Sequence, residues 1–374
     1  MHERFKRLCE IESITEDERA VQDAIAAELR EMGYDVSEDD AAGPARAGAG
    51  NLTCRIPAAG AGAGGDDGEG PWTMFAAHVD TVPHEGPIEV VLQDGVFLSA
   101  GDTILGADNK AAVTVLMEMA AIWADGEGPP AGVELLFTVA EEQGLRGAHA
   151  YDVSTLKADT GFVLDHATPI GEIITAAPTY KKLIADFTGV ESHAGLFPEK
   201  GASAIQAASA AIAAMELGRL DPETTANVGL IEGGSAPNVV AGSCRVTAEA
   251  RAIDIERVQD VVQKMVEACQ WAAGEHRCDV DVEISENFRG YRVKPTSKAL
   301  AIARAALESR GIEPIERNTG GGSDANAFRV RGFDALLLAN GTKLNHTSDE
   351  SVTLEALDVM LDVCLAAVDE AAKA

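Results

Sequence analysis

His78-Val79-Asp80 closes an apolar run, residues 71–77 (PWTMFAA), and similar endings recur along the chain. Residues 133–140 (VELLFTVA) run into the adjacent pair Glu141-Glu142, and residues 162–164 run into Asp165-His166. Residues 335–339 (ALLLA) lead through a short loop to His346. Between the first two runs, Leu105-Gly106-Ala107-Asp108-Asn109-Lys110 makes a glycine-containing turn that opens a long apolar helix. Ligands of open α/β sheets bind beyond the carboxyl ends of the strands. A chain that sets imidazoles and carboxylates there, again and again, reads as a metal site built by a sheet.

Each group has a plain reading beside the chemical one. Positions i and i+2 of a strand face one side, so His78 and Asp80 can project together. A metal-bound imidazole has its second nitrogen held by a carboxylate or carbonyl, a role open to Asp80; alone, His-x-Asp is as ordinary as a surface imidazole beside a turn. Asp108 falls at the expected N-cap of its helix, where a carboxylate satisfies free amides. A carboxylate there could also bridge two cations, one oxygen to each. Glu141 and Glu142 should diverge at their strand end, so that one binds metal while the other acts as general base. Zinc takes imidazole nitrogen and carboxylate oxygen at about 2.0–2.2 Å and keeps a position open for water at catalytic sites.

These groups need elements to hold them. Thr15-Glu16-Asp17-Glu18 fits a capping box with Ile14 as its hydrophobic staple. Val21, Ile25, Leu29 and Met32 follow at helical spacing, so a helix is expected over 16–33. Residues 41–50 and 58–71, rich in Ala, Gly and Asp, read as a long mobile hairpin loop around a strand at 51–56. Helix 108–124 lies between strands, as in a βαβ unit. Near residue 177 the rhythm changes. Strands at 183–190, 226–231, 244–251 and 278–285, with helices at 202–217 and 256–273, follow the split β-α-β-β-α-β order. From Pro295 helix–strand alternation returns, with a last helix at 353–371. The expected organisation is an α/β metal-binding domain with a mostly parallel sheet, residues 1–176 and 293–374. A smaller ferredoxin-like split-βαβ domain, residues 177–292, is expected to be inserted into it.

Composition narrows the classes. At 374 residues the chain suggests two domains, and 46% hydrophobic residues suffice for their cores. No run of about 18 apolar residues suggests a spanning helix, and MHERFKRLCEIES lacks the apolar segment of a signal peptide. Six scattered cysteines without C-x-x-C spacing look like reduced cytosolic thiols, so a cytoplasmic location is expected. A net charge of −31 disfavours nucleic acid and membranes as partners and reads as a solubilising surface suited to a salty cytoplasm. No Gly-x-Ser-x-Gly is present, and Gly320-Gly321-Gly322 lacks the Gly-Lys-[Ser/Thr] ending of a phosphate loop. His84 and His166 read as structural imidazoles.

Six segments together carry a family resemblance: AAHVDTV, GADNKAAV, TVAEEQGLRGA, VESHAGLFPEKGASAI, GGSAPNV and GGGSDAN. In this order, across roughly residues 5–370, they resemble the co-catalytic zinc exopeptidases, which include tripeptidase T, carboxypeptidase G and the aminoacylases. SHAGLFPEKG, TTANVGLIEGG and GGGSDAN point to the tripeptidase T-like branch. The resemblance implies that His78 and Asp165 bind one divalent ion, Glu142 and His346 a second, and that Asp108 bridges both. The ions would be zinc, with cobalt or manganese as alternatives. It implies Glu141 as general base and Asp80 as the residue that orients His78. His193 would reach a neighbouring active site in a homodimer and steady the oxyanion. Asn238, Arg251, Gly321 and Gly322 would contact a short peptide substrate, Arg251 suiting its carboxylate. The activity implied is hydrolysis of terminal amide bonds. An N-acyl amino acid deacylase or desuccinylase shares the same ligands, and a silent binding protein on this fold is the alternative of another class.

Overall fold

The computed structural model describes residues 1–60 and 70–374. It divides into two compact units. The first holds Met1–Thr175, Val293–Asn318 and Ser323–Ala374; the second holds Ala176–Arg292 with Thr319–Gly322.

At the centre of the first unit four parallel strands lie side by side: Gly132–Thr138, Trp72–His78, Thr160–His166 and Asp334–Ala339. Strands Leu52–Ile56 and Glu172–Ala177 flank them antiparallel, and Asp35–Glu38 extends one side. Every residue of Trp72–His78 and Gly132–Thr138 is buried, as parallel strands covered on both faces must be. Helix Ala107–Ala124 makes the crossover between these two strands and packs on Trp72–His78; parallel neighbours require such a connection. Register then decides where the polar residues fall. His78 pairs with Thr138, Ala76 with Val163 and Leu338 with Leu164, so the four carboxyl ends share one edge.

Local expectations failed where a distant partner outbid a near one. The helix expected from residue 16 begins at Arg19, and its N-cap, Glu18, makes no side-chain cap. Thr15, assigned to a capping box, instead donates its hydroxyl to Asp80 at 2.7 Å. The Glu18 carboxylate accepts the N–H groups of Gly48 (2.6 Å) and Ala140 (3.2 Å). Ile14 bridges to Thr81. Buried carboxylates and strand-end amides bond more strongly than a solvent-facing cap. Residues 41–50 hold a short helix, Ala42–Ala45, and Gly50 and Asn51 are tied by their amides to Glu38 and Asp39. Of the loop expected at 58–71, residues 61–69 lie outside the described residues. A small sheet of Val90–Gln93, Val96–Ser99 and Val352–Thr353 has no counterpart in the sequence reading.

The second unit is an antiparallel sheet in the order Gly218–Asp221, Thr224–Gly233, Ser243–Ala252, Thr179–Thr188, Asp279–Phe288. Apart from the short strand Gly218–Asp221, this is the split β-α-β-β-α-β arrangement. Helices Ala204–Ala214 and Ile255–Glu275 pack on one face over Leu183, Phe187 and Val246, with Met265 of the second helix in the same core. Alternation sends Tyr180, Lys182, Glu249 and Arg251 to the other face.

Candidate metal centre

Five side chains from four strand ends and one helix start converge in the first unit. Asp108 sits in the middle. Its Oδ1 lies 3.3 Å from His78 Nε2 and its Oδ2 lies 3.2 Å from His346 Nε2. Asp165 Oδ1 is 3.5 Å from His78 Nε2, and Glu142 Oε1 is 3.0 Å from His346 Nε2. Ligand-capable atoms of His78, Asp108 and Asp165 fall within 4.8 Å of one another, as do those of Asp108, Glu142 and His346. His78 is buried, whereas the His346 side chain is 49% exposed, so one side of the centre opens to solvent.

Asp108 does not cap its helix. It and Asn109 have non-helical backbone angles, and regular helix begins at Lys110. Its carboxylate is thereby released from the amides and turned to the two imidazoles. The Asn109 side chain donates to the Leu164 carbonyl at 2.8 Å and fixes the turn against the strand bearing Asp165.

The turn bearing Glu141 and Glu142 is held by carboxylates that accept its amides. Asp80, wholly buried, takes the Glu141 N–H on Oδ1 at 2.9 Å and the Glu142 N–H on Oδ2 at 3.2 Å. Asn51 accepts from Val139 at 3.1 Å. Ala140, between them, has φ of 50°, and the ligand candidate His346 has φ of 65°. Non-glycine residues in this left-handed region persist where surrounding bonds over-determine them. His78 Nδ1 faces the main-chain carbonyl of Asp80 at 3.0 Å, closer than the Asp80 carboxylate at 3.5 Å. Main chain rather than carboxylate is thus the nearer hold on His78, and the Asp80 side chain serves chiefly the Glu141–Glu142 turn.

The electrostatics describe a cluster short of positive charge. Burial, with Asp165 close by, pushes the Glu141 carboxyl well above its usual range. Burial likewise raises Asp165 to about 8, with Asp108 adding to it. His346 is raised to about 10 by its bonds to Asp108 and Glu142. Burial works against a charge on His78, but Asp165 and Asp108 overcome it and hold the imidazolium well above its ordinary value. Protons gather wherever these carboxylates crowd. Divalent cations would answer the same deficit, and the nitrogen and oxygen donors are those zinc takes. The residues present fit a pair of such ions.

The remaining candidates lie in the second unit, in two places. His193 is exposed, and its Nδ1 accepts the N–H groups of Gly195 and Leu196, both at 3.2 Å. With Nδ1 accepting two amides, Nε2 is the ring nitrogen left to donate. Asn238 accepts the Ala194 N–H on its main-chain carbonyl at 3.0 Å and so flanks the same loop. Arg251 stacks over Tyr180 at 4.5 Å, is gripped by both Glu249 oxygens (3.2 and 2.9 Å), and donates to the Gly320 carbonyl at 3.2 Å. Gly321 and Gly322 follow. A Cβ on Gly322 would stand 2.4 Å from the Phe288 ring, so only glycine fits there.

Three buried groups escaped sequence reasoning. Glu350 accepts the amides of Leu105, Gly106 and Asp108, each at 2.8 Å. Lys110 Nζ donates to Ser13 Oγ and the Val79 carbonyl, both at 2.6 Å, behind His78. Asp324 accepts the Thr138 hydroxyl and is raised to about 6 by burial. Each adjoins a motif singled out for another residue: Lys110 follows Asp108, Asp324 follows the glycine run and Glu350 follows His346. Burial, which marks them, is invisible in a polar letter.

Comparison with known proteins places this geometry. A model of the M20-type peptidase dimerisation domain matches residues 179–277, and one of peptidase family M28 matches residues 62–189. The uncharacterized protein YqjE of Bacillus subtilis (strain 168) is 36% identical over 99% of this chain and 98% of its own. The crystal structure of aminopeptidase PepT from Bacillus cereus ATCC 10987 superposes with a TM-score of 0.87 at 36% identity, covering 100% of this chain and 99% of that one. A tripeptidase structure from Staphylococcus aureus subsp. aureus Mu50 gives a TM-score of 0.93 at 30% identity, covering 100% and 98%. With whole-length likeness in sequence and fold, and a match to the M20-type dimerisation domain, the chain belongs to the M20 family of metallopeptidases.

Proposed function

We propose that this protein is a two-metal exopeptidase that releases terminal residues from short peptides, of the tripeptidase or aminopeptidase kind. The observation that carries this reading is Asp108, one carboxylate with an oxygen toward each of two imidazoles, His78 and His346. His78 and Asp165 would hold one ion, Glu142 and His346 the other, with Asp108 shared. Two bound divalent ions, zinc before cobalt or manganese, supply the positive charge that polarises a scissile carbonyl and acidifies water.

The chain's own groups do the rest. Glu141, buried and strongly basic for a carboxylate, takes a proton from the attacking water and returns it to the leaving amine. Asp80 keeps Glu141 aimed through two backbone bonds. His193, its Nε2–H free to donate, steadies the oxyanion in the active site of a dimer mate. Arg251, with N–H groups beyond those that Glu249 and Gly320 occupy, receives a peptide carboxylate, while Asn238 and the Gly321-Gly322 backbone contact the substrate. The lid/dimerisation role of residues 177–292 has support within the second unit. Strand Thr224–Gly233 pairs with Gly218–Asp221 only as far as Ala226, and beyond it Leu230 and Ile231 are 60% and 49% exposed. A homodimer would cover them. A cytoplasmic location is supported by six free cysteines; among the described residues no helix is long and apolar enough to cross a membrane.

The deciding assay offers the metal-loaded protein di- and tripeptides with free, N-acetylated and C-amidated ends. Turnover that needs a free amino end supports the aminopeptidase reading. Preference for N-acyl amino acids makes the protein a deacylase, and no hydrolysis of any substrate defeats the proposal.

A further inference from the structure

Glu350 is 1% exposed, and its hydrogen bonds go to the segment before the helix at Lys110. Oε2 accepts from the amides of Leu105 and Gly106, and Oε1 from the amide of Asp108, all at 2.8 Å. These amides lead into Asp108, whose carboxylate faces both imidazoles. Glu350 also belongs to the loop of His346. Lys343 and Ser351 exchange backbone hydrogen bonds of 2.9 and 3.0 Å that close this loop, and the Glu350 amide donates to Thr347 at 3.2 Å within it. One carboxylate therefore ties the Asp108 segment to the loop that presents His346.

The chemistry of the clasp is specific. Both oxygens of this side chain accept here, and the three groups that face them are backbone N–H donors. Glutamine cannot replace it: whichever way the amide turns, its NH2 meets a backbone N–H. A buried charge is costly, and a loop that needed only fastening could use a neutral acceptor. What a fixed carboxylate adds is position. Asp108 Oδ2 must lie within reach of His346, and those two residues are far apart in the chain but joined through Glu350.

We propose that Glu350 is a positioning residue that sets the Asp108 carboxylate against His346 and so holds the two metal positions in register. This rests on the reading of Asp108 and His346 as metal ligands. Groups that orient ligands from behind typically carry about 10–100-fold in metal affinity, and an effect of that size is expected here.

The test compares wild type, Glu350→Gln, Glu350→Asp and Asp108→Ala as full-length protein. Cobalt(II) stoichiometry and affinity are measured against a competing chelator, the visible spectrum is recorded at saturating cobalt, and the metal-stripped proteins are unfolded in urea. The expected result is binding weaker by about 10–100-fold in both Glu350 variants, with a shifted cobalt spectrum at saturation and cooperative unfolding of the stripped proteins. Glu350→Asp keeps the charge but is too short to reach all three amides, so it should resemble Glu350→Gln. Wild-type affinity and spectrum in both variants would overturn the inference. So would a defect confined to Glu350→Gln, which would make the effect one of charge, or loss of cooperative unfolding in both, which would make Glu350 a folding staple. Failure of the underlying reading looks different: wild type binds no cobalt, or Asp108→Ala binds as wild type does.

Discussion

Replacing Asp80 by Asn isolates what holds the proposed general base. The side chain is wholly buried and accepts three hydrogen bonds: Glu141 N–H on Oδ1 at 2.9 Å, and the Thr15 hydroxyl at 2.7 Å and Glu142 N–H at 3.2 Å on Oδ2. Asparagine offers one acceptor and one NH2. The Thr15 hydroxyl can rotate to accept from it, but the amides of Glu141 and Glu142 cannot, so one of them must face a donor. A hydrogen bond to a charged group is worth about 1.5–3 kcal/mol. If that amount is lost from the aim of Glu141 in the transition state, kcat/KM falls by about 10–150-fold. His78 should be spared, because Asp80 presents it a main-chain carbonyl at 3.0 Å that the substitution leaves in place. The assay pairs kcat/KM on a free tripeptide with the metal content of the same preparation. Expected is a fall of that size in turnover with metal content unchanged. Loss of metal at wild-type folding would show that the carboxylate, not the carbonyl, orients His78. Unchanged turnover would show that the two amide bonds do not aim the base.

Further outcomes follow from the same geometry. Glu141→Gln should keep the metals and lose about 10²–10⁴-fold in kcat; loss of metal would make Glu141 a ligand. Asp108→Ala should lower occupancy at both positions whereas Glu142→Ala empties chiefly one, as elemental analysis would show; full occupancy after Asp108→Ala rules out a bridge. Mixing inactive Glu141→Gln with inactive His193→Ala should restore some activity once subunit exchange is verified, since one site of a mixed dimer is intact; no recovery refutes donation across a dimer. The Arg19 guanidinium, with the Gly50 amide, holds the Glu38 carboxyl below its ordinary value. A depressed carboxyl contributes stability above its unfolded value of about 4.3 and loses it as pH falls through the folded one. Glu38→Gln should therefore lower the urea midpoint at neutral pH by an amount that shrinks toward about pH 3, and a constant difference would refute the linkage.

Strand ends were legible because a strand announces itself locally. Residues 71–77 and 133–140 are predominantly apolar, as strands covered on both faces are, and the change to His78 or Glu141 marks the strand end. The second unit was legible for a similar reason, since its alternating strands and long helices each carry their own period. What stayed hidden depends on partners far along the chain. Thr15 and Glu18 have the letters of a capping box, yet their oxygens go to Asp80, Gly48 and Ala140. Asp108 has the letter and place of an N-cap, yet its backbone and that of Asn109 are non-helical and its carboxylate turns to His78 and His346, the second more than two hundred residues on. The two-residue strand Val352–Thr353 is too short to show a period at all.

Three carboxylates stand behind the ligand turns: Glu18 at Ala140, Asp80 at Glu141 and Glu142, Glu350 at Leu105, Gly106 and Asp108. Each accepts backbone amides, so the chain's own hydrogen bonds supply part of the order of these turns, which binding then need not supply. Carboxylates crowded at the cluster itself, Asp108, Glu142 and Asp165, favour cations and disfavour any anionic group brought close without them. A peptide carboxylate approaching this cluster would be repelled, so its recognition needs a cation of its own. Arg251, fixed by Tyr180, Glu249 and Gly320 in the second unit, has that charge and that rigidity. On this argument Arg251→Lys, which keeps the charge but loses the planar fork, should raise KM for peptides with a free carboxylate and leave C-amidated ones unaffected. An equal rise for both would assign Arg251 to the lid's own structure.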